Sequence, residues 1–443
     1  MDFGGLERRY RTYEGWIPPE VVSLLIEHGH LDEVRLQARR GDWICASAWA
    51  RELVGQGRHD DALDVLAPFA GTDWWRAVAA VVDVLEDGGR ADEAIALARR
   101  SAKRGMPFLF EHLTRLLARH GGAAEACELL RPHTRDSALA EAFVDVSAGL
   151  GRDDEIAALL EAHVEAGRGR DPWHARPRNA VHLLAVVRER QGRVDEAVAL
   201  QRACDVAVVN GRDLLAELLV RHDRLDELRG HIAGSGAETA AGRLAVALEE
   251  RGDVEGALDV LRPFAADRSP NRSVALAELL VRHDRTDEAI EVLRPVPGSM
   301  GGDPEWVLRM LCTLLADQGR ADEALAAIDD LAVRNGGTSA ELFVERIRLL
   351  SYCGRTEQAI TELRADRDAA ARSDAGLLSE VLADAGRLDE AIDVLRAPAD
   401  GDMDQIPLAE VLIRRGRVKD AVALLQARSG AGADVPELLG ETS

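Results

Sequence analysis

Lysine is almost missing from this chain: Lys103 and Lys419 are the only two among 55 basic residues, and the other 53 are arginine. Neither lies in a G-x-x-x-x-G-K-[ST] loop, which excludes a Walker-type nucleotide site. The arginine bias itself reads as GC-rich coding. Aromatic residues make up 4%, too few for an aromatic-rich β-sandwich. Five cysteines, at 45, 127, 204, 312 and 353, include no C-x-x-C; they read as reduced thiols of a cytoplasmic protein rather than as a disulfide framework or zinc site. No uncharged apolar run is long enough to span a bilayer, and the first residues lack the apolar core of a signal peptide. Neither H-E-x-x-H nor G-x-S-x-G occurs. His112 and His120 stand eight apart on one expected helix, too far to share a metal. No catalytic, cofactor or metal residue is therefore indicated, and an enzyme is not expected. The net charge of −23 disfavours a nucleic-acid surface, which is normally basic.

What the chain has in abundance is glycine, 39 residues, and much of it falls in one recurring string. Gly-Arg-x-Asp-Glu-Ala begins at Gly89, Gly192, Gly319 and Gly386, with degenerate copies at Gly29, Gly57, Gly121, Gly151, Asp223, Gly252, Asp284, Gly354 and Gly416. Intervals between the thirteen first residues run from 28 to 41 and average about 32, the spacing of solenoid repeats. At 443 residues the chain also exceeds what a single core of roughly 250–300 residues supports.

Counting from the first residue of each copy as zero, an apolar residue sits at −8, a small one at −7 and commonly leucine at −4, as in Leu276, Ala277 and Leu280. That spacing makes one stripe of a helix. Glycine at zero ends it, because glycine accepts positive φ. Acidic residues at +3 and +4 are expected to open a second helix, where carboxylates suit the exposed N–H groups. Apolar residues at +5, +6, +8 and +9 (Ala289, Ile290, Val292 and Leu293) form its buried face. Proline at +11, as Pro68, Pro132, Pro263 and Pro295, is expected to close it. A single pair cannot bury both stripes, so pairs must stack.

The apolar–small pair, the turn glycine and the alanine five residues later resemble the tetratricopeptide repeat, in a divergent form whose aromatic positions are mostly Leu or Ala. The resemblance covers about residues 20–428. It implies an all-α fold: a right-handed α-solenoid of about thirteen antiparallel helix pairs. Residues 1–19 would cap the first repeat, residues 429–443 form a tail, and longer inter-repeat loops fall at 166–178 and 295–304. One continuous solenoid is expected rather than two domains. The resemblance further implies a non-enzymatic scaffold or adaptor holding a protein or peptide in a concave groove lined by the first helices, with no cofactor. An RNA-binding pentatricopeptide-like protein, or the regulatory arm of a signalling or transcription system, are the alternatives.

Acids at +3 and +4 contribute −22 and arginines at +1 contribute +10, so helix starts account for about half of the net −23. The rest reads as solvation of a large helical surface, or as preference for a basic partner. Residues 221–443 carry −15 against −8 for residues 1–220, which makes the second half the better place for a basic ligand. Two groups are candidate partner contacts. Arg168, Arg170, Arg176 and Arg178 surround Trp173 in an insertion, where guanidinium forks can grip anions. Trp43, Trp74 and Trp75 stand at the starts of two first helices, where aromatic anchors would be binding hot spots.

Overall fold

The computed structural model describes residues 3–103, 107–167, 177–203, 208–209, 212–235, 238–266, 270–296, 305–365, 375–396 and 405–427. Helix α1 (Phe3–Thr12) stands alone. Pairs follow: α2 (Pro19–Glu27) with α3 (Leu31–Arg39), α4 (Trp43–Gly55) with α5 (His59–Ala70), α6 (Trp75–Asp87) with α7 (Ala91–Lys103), α8 (Pro107–Arg119) with α9 (Ala123–Leu130), and α10 (Ser137–Val146) then α11 (Asp153–Gly167). Next come α12 (Pro177–Arg190) with α13 (Val194–Arg202), α14 (Leu214–Arg221) with α15 (Leu225–Ser235), α16 (Glu238–Glu250) with α17 (Val254–Ala266), and α18 (Pro270–Arg282) with α19 (Thr286–Leu293). The last are α20 (Glu305–Asp317) with α21 (Ala321–Arg334), α22 (Ala340–Tyr352) with α23 (Thr356–Ala365), α24 (Ala375–Asp384) with α25 (Leu388–Arg396), and α26 (Ile406–Arg414) with α27 (Val418–Ala427).

All thirteen motif copies fall between the two helices of a pair, and all thirteen first residues have φ between 55 and 82°. Eleven are glycine. Asp223 (φ 55°) and Asp284 (φ 60°) take the same left-handed conformation, which aspartate tolerates better than most residues with a Cβ. In most copies, though not the one at 151, the corner is a Schellman turn. In the copy at 89, the Gly89 N–H donates to the Glu86 carbonyl and the Arg90 N–H to the Leu85 carbonyl, at 2.9 and 2.8 Å. The leucine at −4 thus works twice: its side chain is buried, and its carbonyl accepts the bond that ends the helix. Leu276, Ala277, Leu280, Ala289, Ile290 and Leu293 lie in the core as spaced, while Val292 at +8 is only half-buried. Burying each leucine or isoleucine stabilises by about 1.5–3 kcal/mol.

The +1 arginine has a role that its place in the turn does not announce. It pairs with the +4 acid of its own copy and reaches back to the +3 acid of the preceding copy. Arg90 bonds Glu93 and Asp60 (2.9 Å), and Arg285 bonds Glu288 and Glu255 (2.7 Å). The backward rung recurs as Arg224–Asp195 (2.7 Å), Arg320–Asp287 (3.3 Å) and Arg355–Asp322 (2.7 Å). The acids therefore open the second helices as expected, and they also tie successive copies together. A second set of ties uses the glutamate at −3. Glu86 takes Arg119 and His120, Glu189 takes Arg221 and His222, and Glu249 takes Arg282 and His283, each pair coming from the next copy.

Three details depart from expectation. Pro132 and Pro295 follow the ends of α9 and α19, but Pro68 and Pro263 lie inside α5 and α17. A proline near a helix end costs one hydrogen bond, and in α5 the next residue, Phe69, is buried edge-on against Trp43 at 5.3 Å. A two-stranded antiparallel ribbon, β1 (Val208–Val209) with β2 (Arg212–Asp213), precedes α14, pairing Val208 with Asp213. The chain also forms two compact units, residues 1–154 with 378–443 and residues 155–377. The divisions fall within α11 and α24, not at the loops 166–178 and 295–304.

Candidate binding surface

Trp43 and Trp74 are core residues. Their rings meet edge-to-face at 4.9 Å, and Trp16 and Tyr10 pack on Trp74 at 6.2 and 5.9 Å. The Trp74 indole N–H donates to Glu7 of α1 (3.0 Å). Trp74 is 0% exposed and Trp43 5%, so neither offers a face to a partner. Trp75 is half-buried, with the Arg76 guanidinium stacked on it at 4.3 Å and on Tyr10 at 3.9 Å. The register explains Trp43: position −14 lies one turn beyond −11 and two beyond −7, on the inward stripe.

Residues 3–17 reach this cluster by several polar anchors. The Trp16 indole donates to the Gly41 carbonyl (3.1 Å), and the Ile17 N–H to Asp42 (2.6 Å). Asp42 also caps α4 by accepting from the Cys45 N–H (3.0 Å). Burial pushes the Asp42 carboxyl up to about 6, against the pull of these backbone N–H groups. Burial also works against the charge of Glu7, but the Trp74 indole and Arg76 outweigh it and hold that carboxyl below its ordinary value.

Of the arginine-rich insertion, Arg168, Arg170, Trp173 and Arg176 lie outside the described residues. Arg178 is in the first turn of α12, and its side chain is likewise outside the description.

The outward stripe of the first helices is formed by positions −13, −6 and −2. In residues 155–377 it carries three exposed apolar or aromatic side chains: Val246 (40% exposed), Trp306 (40%) and Tyr352 (61%). Trp306 lies at −13, one residue from the register of Trp43, and that 100° rotation turns it outward. Tyr352 donates its hydroxyl to Asp317, at the same position of the preceding first helix. Between the two aromatics, Arg309 and Arg348 share the buried Glu345. In the same unit, a groove of about 420 Å³ has Leu276, Leu280 and Val292 as its floor and Asp287, Glu288, Glu291 and Arg262 around it.

Among the described residues no three His, Cys, Asp or Glu side chains group as metal ligands. His112 lies 2.9 Å from the Asp83 carboxylate and His120 hydrogen-bonds Glu86 at 2.8 Å. Cys45, Cys127 and Cys312 are buried, and burial pushes the Cys312 thiol up to about 12. Among the described residues no helix is long and apolar enough to cross a membrane.

The sequence profile of the tetratricopeptide repeat matches residues 239–263, 306–330, 375–397 and 405–427. Each segment spans one helix pair, with its motif copy at the corner. These four segments are tetratricopeptide-type repeats. Nine further copies share the corner geometry without matching the profile. No curated protein matches the sequence. Among solved structures, Naa15/Naa10 bound to HypK-THB is similar over 96% of this chain and 74% of that one, at 12% identity and TM-score 0.41. The maize pentatricopeptide repeat protein PPR10 is similar over 98% and 76%, at 14% identity and TM-score 0.33. The APC/C hetero-tetramer Cut9-Hcn1 is similar over 89% and 95%, at 10% identity and TM-score 0.26.

Proposed function

We propose that this chain is a non-catalytic, cytoplasmic scaffold that binds a protein or peptide along the outward stripe of its first helices. The observation that carries the reading is the placement of Val246, Trp306 and Tyr352. Three large apolar side chains, on three of the four successive first helices α16, α18, α20 and α22, are held in water on the stripe that a tetratricopeptide repeat array leaves unpaired. Aromatic anchors of this kind dominate binding energy where they become buried. The acidic rim over an apolar floor in the Leu276 groove, and the −15 carried by residues 221–443, favour a basic segment as the partner. In the same reading, Trp75 and the arginines of the 168–178 insertion add contacts.

The test is capture from native lysate by the immobilised full chain, compared with W306A/Y352A. The expected result is a discrete set of captured proteins that the double variant loses, with unchanged circular dichroism. An identical set from both overturns the surface. Capture of single-stranded RNA that fades steeply with salt would favour the RNA-binding alternative.

A further inference from the structure

Residues 1–154 and 378–443 form one compact unit, and inside it the first helix pair lies against the last: α2 packs on α26. Val22 and Leu25 of α2 and Ala409 and Leu412 of α26 are buried. This junction differs from the interior ones in three respects. Interior copies join chiefly through the second helix of one and the first helix of the next, as α5 does with α6 and α17 with α18, whereas here the contact is chiefly between two first helices. The rung is also missing, as it is at the interior joints where Gly122, Asp253 or Ala124 takes a ladder position, but here a cation stands where the acid would be. The two positions that would form it are +1 of the first copy and +3 of the last, and they are His30 and Lys419. Every other +3 residue is acidic except Ala124. An open groove of about 430 Å³ lies there, lined by His30, Asp32, Glu33, Arg417, Lys419 and Asp420 among others, and among these residues no ion pair crosses it. Third, the second helices meet through amides: Gln426 donates to Gln37 (2.8 Å), which itself donates to Glu33 (2.7 Å). At the position of Gln37, α5, α7, α17 and α19 carry the half-buried Val65, Leu97, Val260 and Val292, while α15 and α23 carry His231 and Glu362.

The second and third differences leave the apolar α2–α26 contact with little polar adhesion beside it. Amide pairs exchange readily with solvent, and a cation facing an imidazole supplies no attraction. We propose that the contact between the first and last helix pairs is a releasable latch, held by α2 and α26 and kept weak by His30, Lys419 and the Gln37–Gln426 pair. The latch opens and closes in the free protein, and no partner is required for it.

The experiment places spin labels, by unnatural amino acids, at the exposed Arg35 of α3 and Ala423 of α27 in the full chain. Double electron–electron resonance then measures their separation. The wild type is expected to show two populations, one short and one long. H30R/K419D supplies the missing rung and should raise the short-to-long ratio about two- to five-fold, the worth of one exposed ion pair. H30R alone sets a guanidinium against Lys419 and should lower the ratio. Circular dichroism checks that each variant folds. A single short distance, unmoved by either variant, overturns the latch, as does a single long distance. A ratio that moves oppositely to these signs overturns the role of His30 and Lys419. None of these outcomes depends on partner capture.

Discussion

Asp42→Asn removes a buried charge while keeping the side chain's outline. The wild-type carboxyl moves from an ordinary 3.8 to about 6 because burial penalises its ionised form more than the Cys45 and Ile17 N–H groups favour it. A folded-state value above the unfolded one means that the folded protein takes up the proton first as pH falls. The group's stabilising contribution is therefore fully present below 3.8 and is lost as pH rises through 6. Two pH units at about 1.4 kcal/mol each give a swing of order 3 kcal/mol. The asparagine cannot titrate, so the difference in unfolding free energy between wild type and D42N should shift by that amount toward the wild type between pH 7 and pH 4. Urea unfolding followed by tryptophan fluorescence reports on the correct region, because Trp16 and Trp43 flank the carboxyl in sequence or hydrogen bonding and Trp74 packs on both. Other titrating groups cancel in the difference. A difference independent of pH, or one that moves toward D42N on acidification, refutes the assignment.

The corner makes two opposite predictions. A Cβ at Gly386 would meet open space, so Gly386→Ala carries only the left-handed backbone penalty, less the entropy the unfolded chain loses, for a net cost of about 1 kcal/mol. Asp284→Gly should stabilise by roughly 0.5–1 kcal/mol. Native-state hydrogen exchange of the flanking helices should quicken in the first variant and slow in the second, and equal rates would refute the conformational reading. Arg285→Ala removes a rung between the copies at 252 and 284. Exchange in α17 and α19 should quicken at low salt and show little change in 1 M salt, where screening reaches about 3 Å; an effect of the same size in high salt would point to lost packing instead. Hydrogen bonding to Arg119, reinforced by His120 and opposed by partial burial, holds the Glu86 carboxyl at about 2. Its contribution is full above 4.5 and is lost as pH falls toward 2, so E86Q should flatten the acid limb of the α6–α8 unfolding curve.

The corners were legible in the sequence because one residue type fits their backbone. A glycine, or an aspartate in its place, followed by acids and alanine leaves few alternatives, and all thirteen sit where the string places them. The Arg90–Asp60 type of rung was hidden because its partners are some 30 residues apart, and helix-start preference alone explained the acids. Trp43, at −14, is turned inward by register: that position shares a stripe with the small residue at −7, and one residue further on, at −13, the same count points outward to Trp306. Trp75 holds −14 half-buried, and Trp74, at −15, is buried by its contacts with α1. The packing of Trp74 on α1 depends on contacts up to 67 residues away, which no local pattern encodes. The α2–α26 contact is more remote still, although the histidine and lysine at its ladder positions were visible as exceptions to the motif.

Where it occurs, the backward-reaching arginine gives the joint a polarity. It requires of its neighbour only an acid at one fixed place, and every interior unit but the one at 121 offers that acid. A unit of some thirty residues, duplicated or excised at its corners, would meet a compatible mate on either side without any new joint having to evolve. Chains of this construction can therefore lengthen or shorten by whole modules, and the number of modules in a descendant is set by recombination more than by folding.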